Sequence, residues 1–199
     1  MKRGFVLPIL FVALCACFAT AAFARDFPVG TVLEDFKMMD TNGKEQSFSK
    51  LKGEKGTIIV FLSVQCPVVK AYDERINQIA ADYQAKGINF IGINSNSTET
   101  PEAVKAHAAE KYKFPVLLDA GNVFADKLGA NYTPEMFLFD ASNKLVYHGS
   151  VDNDRSGENV SAQFLRTAMD ENLAGKAITR PETKAFGCTI KRKAEAKND

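Results

Sequence analysis

The run at 57–64, TIIVFLSV, is the feature that most limits what this chain can fold into. It is almost wholly apolar and rich in β-branched residues, which is typical of a strand buried on both faces of a sheet. From Pro67 onward, apolar residues recur at helical spacing, and Lys86-Gly87 marks the end of that helix. Cys66 therefore lies at the junction between a central buried strand and a long helix.

The remaining pattern predicts an α/β fold with a central mixed sheet flanked by helices. Apolar strands and helices alternate up to residue 118, which requires mostly parallel strand pairing. Ala141-Ser142-Asn143 then separates two apolar strands by a short turn, which requires an antiparallel hairpin. Beyond the first strand, we predict strands at 88–94, 114–118, 136–139 and 145–148, and helices at 101–111, 121–128 and 161–173.

The two ends of this domain carry weaker patterns. Residues 27–53 alternate short apolar pieces with Asn42-Gly43 and Lys52-Gly53, and they predict a hairpin-like N-terminal β extension. The tail at 176–199 is rich in charge and contains Pro181. We therefore expect it to run over the surface as a strap and not to join the core.

The composition describes a single ordinary globular domain. The chain has 199 residues, of which 46% are hydrophobic and 25% are charged, which excludes a disordered or collagen-like protein. Lys and Arg total 25, against 24 Asp and Glu, so no basic surplus favours binding to nucleic acid. We expect no nucleic-acid partner.

The N-terminus predicts export. Met1-Lys2-Arg3 precedes an uncharged stretch at 5–24, and Ala22-Phe23-Ala24 offers the small residues that a signal peptidase reads. We therefore predict a signal peptide at 1–24, cleavage before Arg25 and a mature domain at 25–199 that is periplasmic or secreted. Disulfide bonds persist in such compartments.

Two alternatives for the leader remain open. Its apolar stretch is long enough to span a bilayer, so the leader is also compatible with an uncleaved N-terminal anchor. Leu14-Cys15-Ala16-Cys17 is similar to a bacterial lipoprotein box, which would make Cys17 a lipidated N-terminus. Of the four cysteines in the chain, only Cys66 and Cys188 lie outside the leader.

Cys66 has the sequence context of a reactive thiol. A cysteine before a helix that begins with Pro67 faces unpaired backbone N–H groups and the positive end of the helix dipole. These groups stabilise the thiolate, and Lys70, one turn further on, supplies a cation. The alternative is an inert buried cysteine, which is common for this residue type.

These segments resemble the thioredoxin superfamily, in particular its redoxin or AhpC/TSA-like (peroxiredoxin-like) branch. The resemblance is carried by the strand with Cys66-Pro67-Val68-Val69, by Thr133-Pro134 before an apolar strand, and by the closing AFGCTIK at 185–191. It implies a thioredoxin-like fold in which Pro134 is a cis-proline facing the active thiol. It also implies a substrate groove formed by Ser63, Pro67, Thr133 and Pro134, where an extended chain pairs with Thr133.

The chain departs from its relatives at three positions. Thioredoxins carry a second cysteine where this chain has Val69, so the usual CxxC disulfide is excluded. Typical peroxiredoxins carry a Thr or Ser three residues before the cysteine, which Ser63 matches, and a proline seven before, which Ile59 does not. They also place an arginine opposite the thiol, and Thr133-Pro134-Glu135 supplies none. These departures weigh against peroxidase activity and leave thiol chemistry intact.

Cys188 is the candidate to resolve an oxidised Cys66, because an exported chain with two mature cysteines tends to pair them. The alternative is a permanent structural disulfide. In the chain-entropy model, closing so long a loop stabilises the fold by about 4 to 5 kcal/mol.

The other polar motifs predict little chemistry. His148 ends a strand and is either a proton donor or acceptor near Cys66 or a half-exposed edge residue, whereas His107 is predicted on a solvated helix face. Asp152-Asn153-Asp154 imitates the start of a calcium loop, but Gln163 stands where the bidentate Glu belongs. Two separated histidines and two remote cysteines make no zinc site. We expect no metal and no cofactor.

Three functions remain open from the sequence. The first is an exported oxidoreductase in which the Cys66 thiolate attacks a protein disulfide and Cys188 or an external thiol reductant releases the mixed disulfide. The second is a peroxiredoxin-like, antioxidant peroxide reductase in which Cys66 becomes a sulfenic acid. The third is a redox-silent binding module with a structural disulfide.

Overall fold

The computed structural model describes residues 27–193. The predicted signal peptide at 1–24, its cleavage site before Arg25 and the alternative lipidated Cys17 all lie outside the described residues. The same is true of the end of the predicted tail, 194–199.

In this part of the chain, seven strands form one mixed sheet and two further short strands pair with each other. The large sheet has the order β2-β1-β5-β4-β3-β7-β8, and the small one joins β6 and β9. The strands are β1 (Lys37–Asp40), β2 (Glu45–Ser47), β3 (Gly56–Leu62), β4 (Ile88–Asn94), β5 (Val116–Leu118), β6 (Tyr132–Thr133), β7 (Glu135–Asp140), β8 (Leu145–Gly149) and β9 (Cys188–Thr189). The helices are α1 (Phe48–Leu51), α2 (Pro67–Gln84), α3 (Pro101–Lys111), α4 (Val123–Leu128) and α5 (Phe164–Leu173).

β3 is the buried strand that the sequence predicts. All seven of its residues are buried, and it pairs in parallel with β4 and antiparallel with β7. Its alternate residues face opposite sides of the sheet, so Ile58 packs in the core with α2, α3 and α5, and Ile59 packs in the other core with α4. Each such side chain contributes about 1.5 to 3 kcal/mol through burial. The predicted α/β fold, with a central mixed sheet flanked by helices, is thereby confirmed.

α2 begins where its sequence requires. Cys66 is its N-cap residue and Pro67 its first helical residue, a position where the missing N–H of proline is not needed. Its buried face includes Tyr72, Ile76 and Tyr83, which recur at helical spacing and pack against the sheet. The reactive-cysteine candidate is therefore held between two rigid elements.

The N-terminal extension is built as predicted, and it also extends the sheet. β1 and β2 form an antiparallel hairpin whose turn contains Gly43 at φ 75°, a left-handed conformation that favours glycine. β1 then pairs antiparallel with β5, so the hairpin becomes the outer edge of the large sheet. The extension is part of the same folded body and not a separate domain.

The tail packs more deeply than the sequence indicated. We call residues 181–193 the C-terminal strap. Near its start, the His148 N–H donates to Pro181 O at 2.9 Å and the Thr183 N–H donates to His148 O at 3.0 Å, so it follows β8. Near its end, Ile190 is only 5% exposed and belongs to the hydrophobic core beside α4. The expectation of a purely surface strap is wrong, because β9 and Ile190 anchor it across the end of the sheet.

None of the helices within residues 27–193 has both the length and the apolar character needed to cross a membrane.

Candidate active site

Cys66 lies at the carboxyl end of β3, where the chain turns into α2. Cys66 is 1% exposed, and Phe186 and Cys188 of the strap pack against the hydrophobic cluster that contains it. The thiol donates a hydrogen bond to the Thr133 carbonyl, with Sγ and O 3.2 Å apart. Pro67 is exposed at the first turn of α2, beside the covered thiol.

The Thr133–Pro134 peptide bond is cis, as the resemblance implied. Both residues are buried, and they link β6 to β7 opposite the end of β3. Antiparallel pairing of Phe61 with Glu135 brings this turn to Cys66, because it aligns the start of β7 with the last residues of β3. Thr133, which the resemblance places in a substrate groove together with Pro134, therefore lies beside the thiol.

Cys188 is carried to the same place by β9. Its strand pairs antiparallel with β6, so that Cys188 lies opposite Thr133. The Thr133 hydroxyl donates to Cys188 O at 3.4 Å. Both cysteines are free thiols, Cys66 buried and Cys188 half-buried. Cys66 and Cys188 are far apart in sequence, yet both interact with Thr133.

The surroundings shift the two thiols in opposite directions. Burial raises the pKa of Cys66, but hydrogen bonding to the sulfur from Cys188 and from the Val69 N–H outweighs it, and the net pKa is lowered. Burial raises the pKa of Cys188, and its hydrogen bond to Cys66 and the charge of the Cys66 thiolate raise it further. The Cys66 thiol therefore ionises before that of Cys188. The Val69 N–H belongs to the first turn of α2, as the helix-terminus argument expected, and Lys70 is not among these main contributors.

Glu99 organises the loop that leads into Cys66. One carboxylate oxygen accepts hydrogen bonds from Ser63 Oγ at 2.5 Å and Gln65 N at 2.9 Å. The other accepts from Val64 N at 3.0 Å and Asn94 Nδ2 at 2.6 Å. The donor proton of Ser63 is thus used on Glu99 and does not point at the sulfur. Sequence reasoning missed Glu99, because its spacing from Cys66 carries no motif.

A buried polar cluster lies against α2 and includes His107, which the sequence analysis predicted on a solvated helix face. The His107 side chain is only 12% exposed, with Nε2 3.7 Å from an Asp73 carboxylate oxygen, so the prediction of a solvated face is wrong. The Tyr112 hydroxyl donates to the other oxygen of Asp73. His107 packs edge-on against the Tyr112 ring, at 5.6 Å between ring centres. Packing of α3 on α2 buries these residues, which the pattern of α3 alone does not reveal.

The remaining sequence candidates have structural partners. His148 is the half-exposed edge residue of the two alternatives: it lies on edge strand β8, its side chain is 29% exposed, and Nε2 is 2.7 Å from Glu135 Oε1. Asp152, at the start of the calcium-like motif, pairs with Arg75 at 2.6 Å and accepts the Tyr72 hydroxyl at 2.7 Å. Within residues 27–193, His, Cys, Asp and Glu side chains form no group of three or more that could hold a metal ion.

The fold, with a strand-end thiol facing a cis-proline loop, defines a thioredoxin-like protein. The sequence profile of the Redoxin family matches residues 28–163. The chain belongs to this family.

The similarity to other proteins covers most of the chain. Thiol-disulfide oxidoreductase ResA from Bacillus cereus (strain ZK / E33L) is 26% identical over 155 residues, which are 73% of this chain and 88% of ResA. The solved structure of a hypothetical protein from Sinorhizobium meliloti 1021 is 35% identical, with a TM-score of 0.79 over 85% of this chain and 97% of that one. An uncharacterised conserved protein from Geobacillus kaustophilus is 32% identical, with a TM-score of 0.80 over 85% and 95% of the two chains.

We expect alkylation of Cys66 by iodoacetamide to show a pH midpoint below the ordinary cysteine pKa of about 8.5, because its pKa is lowered by donors around the sulfur. Cys188→Ala removes one of those donors and should raise the midpoint. Cys188→Ser keeps a hydroxyl donor and should stay closer to the unmodified protein. Mass spectrometry of the Cys66 peptide across a pH series measures all three midpoints. A midpoint at or above about 8.5 in the unmodified protein contradicts the assignment.

Glu99→Ala should loosen the loop before Cys66, because it removes the acceptor of four hydrogen bonds. We expect faster hydrogen exchange at the Val64 and Gln65 amides and a loss of about 1 to 3 kcal/mol in unfolding free energy. Glu102→Ala is the matched control, since Glu102 is exposed in the first turn of α3. Equal exchange at both amides in the two variants would show that Glu99 does not hold this loop.

Proposed function

We propose that this protein is a thiol-disulfide oxidoreductase in which Cys66 is the nucleophile and Cys188 the resolving thiol. The observation that carries the proposal is the pairing of Cys188 with Thr133, the residue whose carbonyl accepts the Cys66 thiol at 3.2 Å. The similarity to a protein named thiol-disulfide oxidoreductase, over 73% of the chain, supports the same reaction class. Protein thiols and disulfides are then the substrates.

The proposed reaction has two exchange steps. The Cys66 thiolate attacks one sulfur of a substrate disulfide, forms a mixed disulfide and releases the first substrate thiolate, which takes up a proton. Cys188 loses its proton and attacks Cys66 Sγ, which forms the Cys66–Cys188 disulfide and releases the second substrate thiol. The substrate gains two electrons and the enzyme loses two. An external dithiol reductant returns the enzyme to its reduced form.

The different acidities of the two thiols support these roles. The lowered pKa of Cys66 favours it as the attacking thiolate. The raised pKa of Cys188 keeps it protonated while Cys66 is ionised. A permanent structural bond makes no use of this difference, so the arrangement favours a cycling pair.

Peroxide reduction by Cys66 is less well supported. Ser63 is the residue that matches the peroxiredoxin pattern, and its hydroxyl donates to Glu99 at 2.5 Å. A hydroxyl has one donor proton, so Ser63 has none left for a peroxide oxygen beside Cys66 in this arrangement. The Glu99 contact therefore favours disulfide exchange over peroxidase chemistry.

We expect the two cysteine variants to behave differently in exchange with a protein disulfide. Cys188→Ser should accumulate a mixed disulfide at Cys66, because resolution is blocked, whereas Cys66→Ser should form none. Non-reducing mass spectrometry detects both species. The third variant, Cys188→Ala, serves as the control for effects of the serine hydroxyl.

Two results would count against this function. A Cys66–Cys188 bond that remains oxidised in thiol buffers poised below about −300 mV would identify a structural disulfide. Accumulation of a Cys66 sulfenic acid with peroxide, at rates above those of disulfide exchange, would favour the peroxidase.

We also propose that the domain is exported to the periplasm or secreted, on the basis of the charged start and apolar stretch of residues 1–24. Mass spectrometry of the mature protein from its native host should find Arg25 at the N-terminus. A lipid-modified Cys17 would identify a lipoprotein, and a retained leader would identify an N-terminal anchor.

A further inference from the structure

β9 occupies the backbone edge of β6 beside the Cys66 thiol. The short ladder joins Tyr132 to Thr189 and Thr133 to Cys188, so the strap uses the backbone groups of β6 beside the thiol. Cys66 is 1% exposed with the strap in this position. A second extended chain therefore cannot pair with this edge of β6 while the strap is seated.

Gly187 allows the strap to pack this closely against the Thr133–Pro134 turn. A Cβ atom at Gly187 would lie 2.0 Å from the Thr133 carbonyl oxygen and 2.7 Å from its carbonyl carbon. Both are backbone atoms, so no flexible side chain can move away to make room. Any side chain at 187 must push the strap away from the Thr133–Pro134 turn.

The end of the strap is fastened at a distance from the sulfur. Lys191 N donates to Asn96 Oδ1 at 2.9 Å. Arg192 donates through Nε to Asp126 at 2.8 Å and through Nη2 to Ala130 O at 2.7 Å. The Arg192 and Asp126 side chains are 32% and 40% exposed, so water can replace their contact when the strap detaches.

We infer that the strap is a built-in competitor of polypeptide substrates, which reach Cys66 only after β9 has left β6. The inference rests on the proposed function and adds a determinant of substrate choice to it. An extended polypeptide needs both the sulfur and the β6 backbone, so β9 must leave β6 completely, whereas a small disulfide needs only enough displacement to expose the sulfur. The seated strap therefore restricts the polypeptide more than the small molecule.

The strap also has to return in each cycle. While a polypeptide occupies β6, its mixed disulfide with Cys66 persists, because Cys188 is displaced together with β9. When β9 reseats, the Cys188 thiolate attacks Cys66 Sγ, forms the intramolecular disulfide and releases the substrate as a thiol. β9 and the substrate thus alternate at the same edge of β6.

The test measures only the first exchange step, so all proteins carry Cys188→Ser. The two probes are hydroxyethyl disulfide and a dimer of an unstructured peptide joined by one disulfide, and mass spectrometry gives the rate of mixed-disulfide formation at Cys66. Gly187→Ala should raise the peptide rate relative to the small-disulfide rate by about tenfold or more, since a minor open state holds about 10% of molecules or fewer. Thr189→Ala is the control, because its exposed side chain leaves backbone pairing intact.

A second variant keeps the test interpretable if Gly187→Ala fails to fold. Arg192→Ala removes a distant anchor and should raise the same ratio by a smaller factor. An unchanged ratio in both variants, with both probes reacting, overturns the strap inference and leaves the proposed function standing. Failure of both probes to react with Cys66 in any of the folded proteins overturns the proposed function itself.

Discussion

The backbone of Thr133 is the constraint on which the rest of the site depends. Its carbonyl accepts the Cys66 thiol at 3.2 Å, and the same residue pairs with Cys188. The fold brings it there because β7 runs antiparallel to β3, with Glu135 opposite Phe61. The residue that leads into β7 must then lie at the end of β3, close to Cys66 at the start of α2.

Two carboxylates fix the loops on either side of the sulfur. Glu99 accepts the backbone N–H groups of Val64 and Gln65 before Cys66. Glu135 accepts those of Asn131 and Tyr132 before the cis-proline turn, at 2.7 and 2.8 Å. Hydrogen bonds to ionised acceptors are roughly twice as strong as neutral ones. Each charge is thus engaged by backbone donors of a loop, which rigidifies the site.

Local pattern predicted the elements, and long-range packing decided the rest. The limits of β4 and α3 follow from the sequence, because Ile88–Asn94 is an apolar run and Thr100 caps the helix through its hydroxyl. The contacts of Glu99 with the loop before Cys66 and of His107 with Asp73 join residues more than 30 positions apart, so no local period reveals them. The burial of Ile190 in the charged tail was missed for the same reason, since a single anchoring side chain gives no periodic pattern.

The electrostatic coupling between the two thiols orders the two proposed exchange steps, in addition to the displacement of the strap. Burial raises the pKa of Cys188, and the neighbouring Cys66 thiol and its charge raise it further. Once Cys66 is bonded to a substrate sulfur, it carries no charge, and that part of the increase disappears. Cys188 then ionises more readily than before the first step. In the proposed reaction, Cys188 is therefore suppressed while Cys66 is the free thiolate, and becomes reactive when there is a mixed disulfide to resolve.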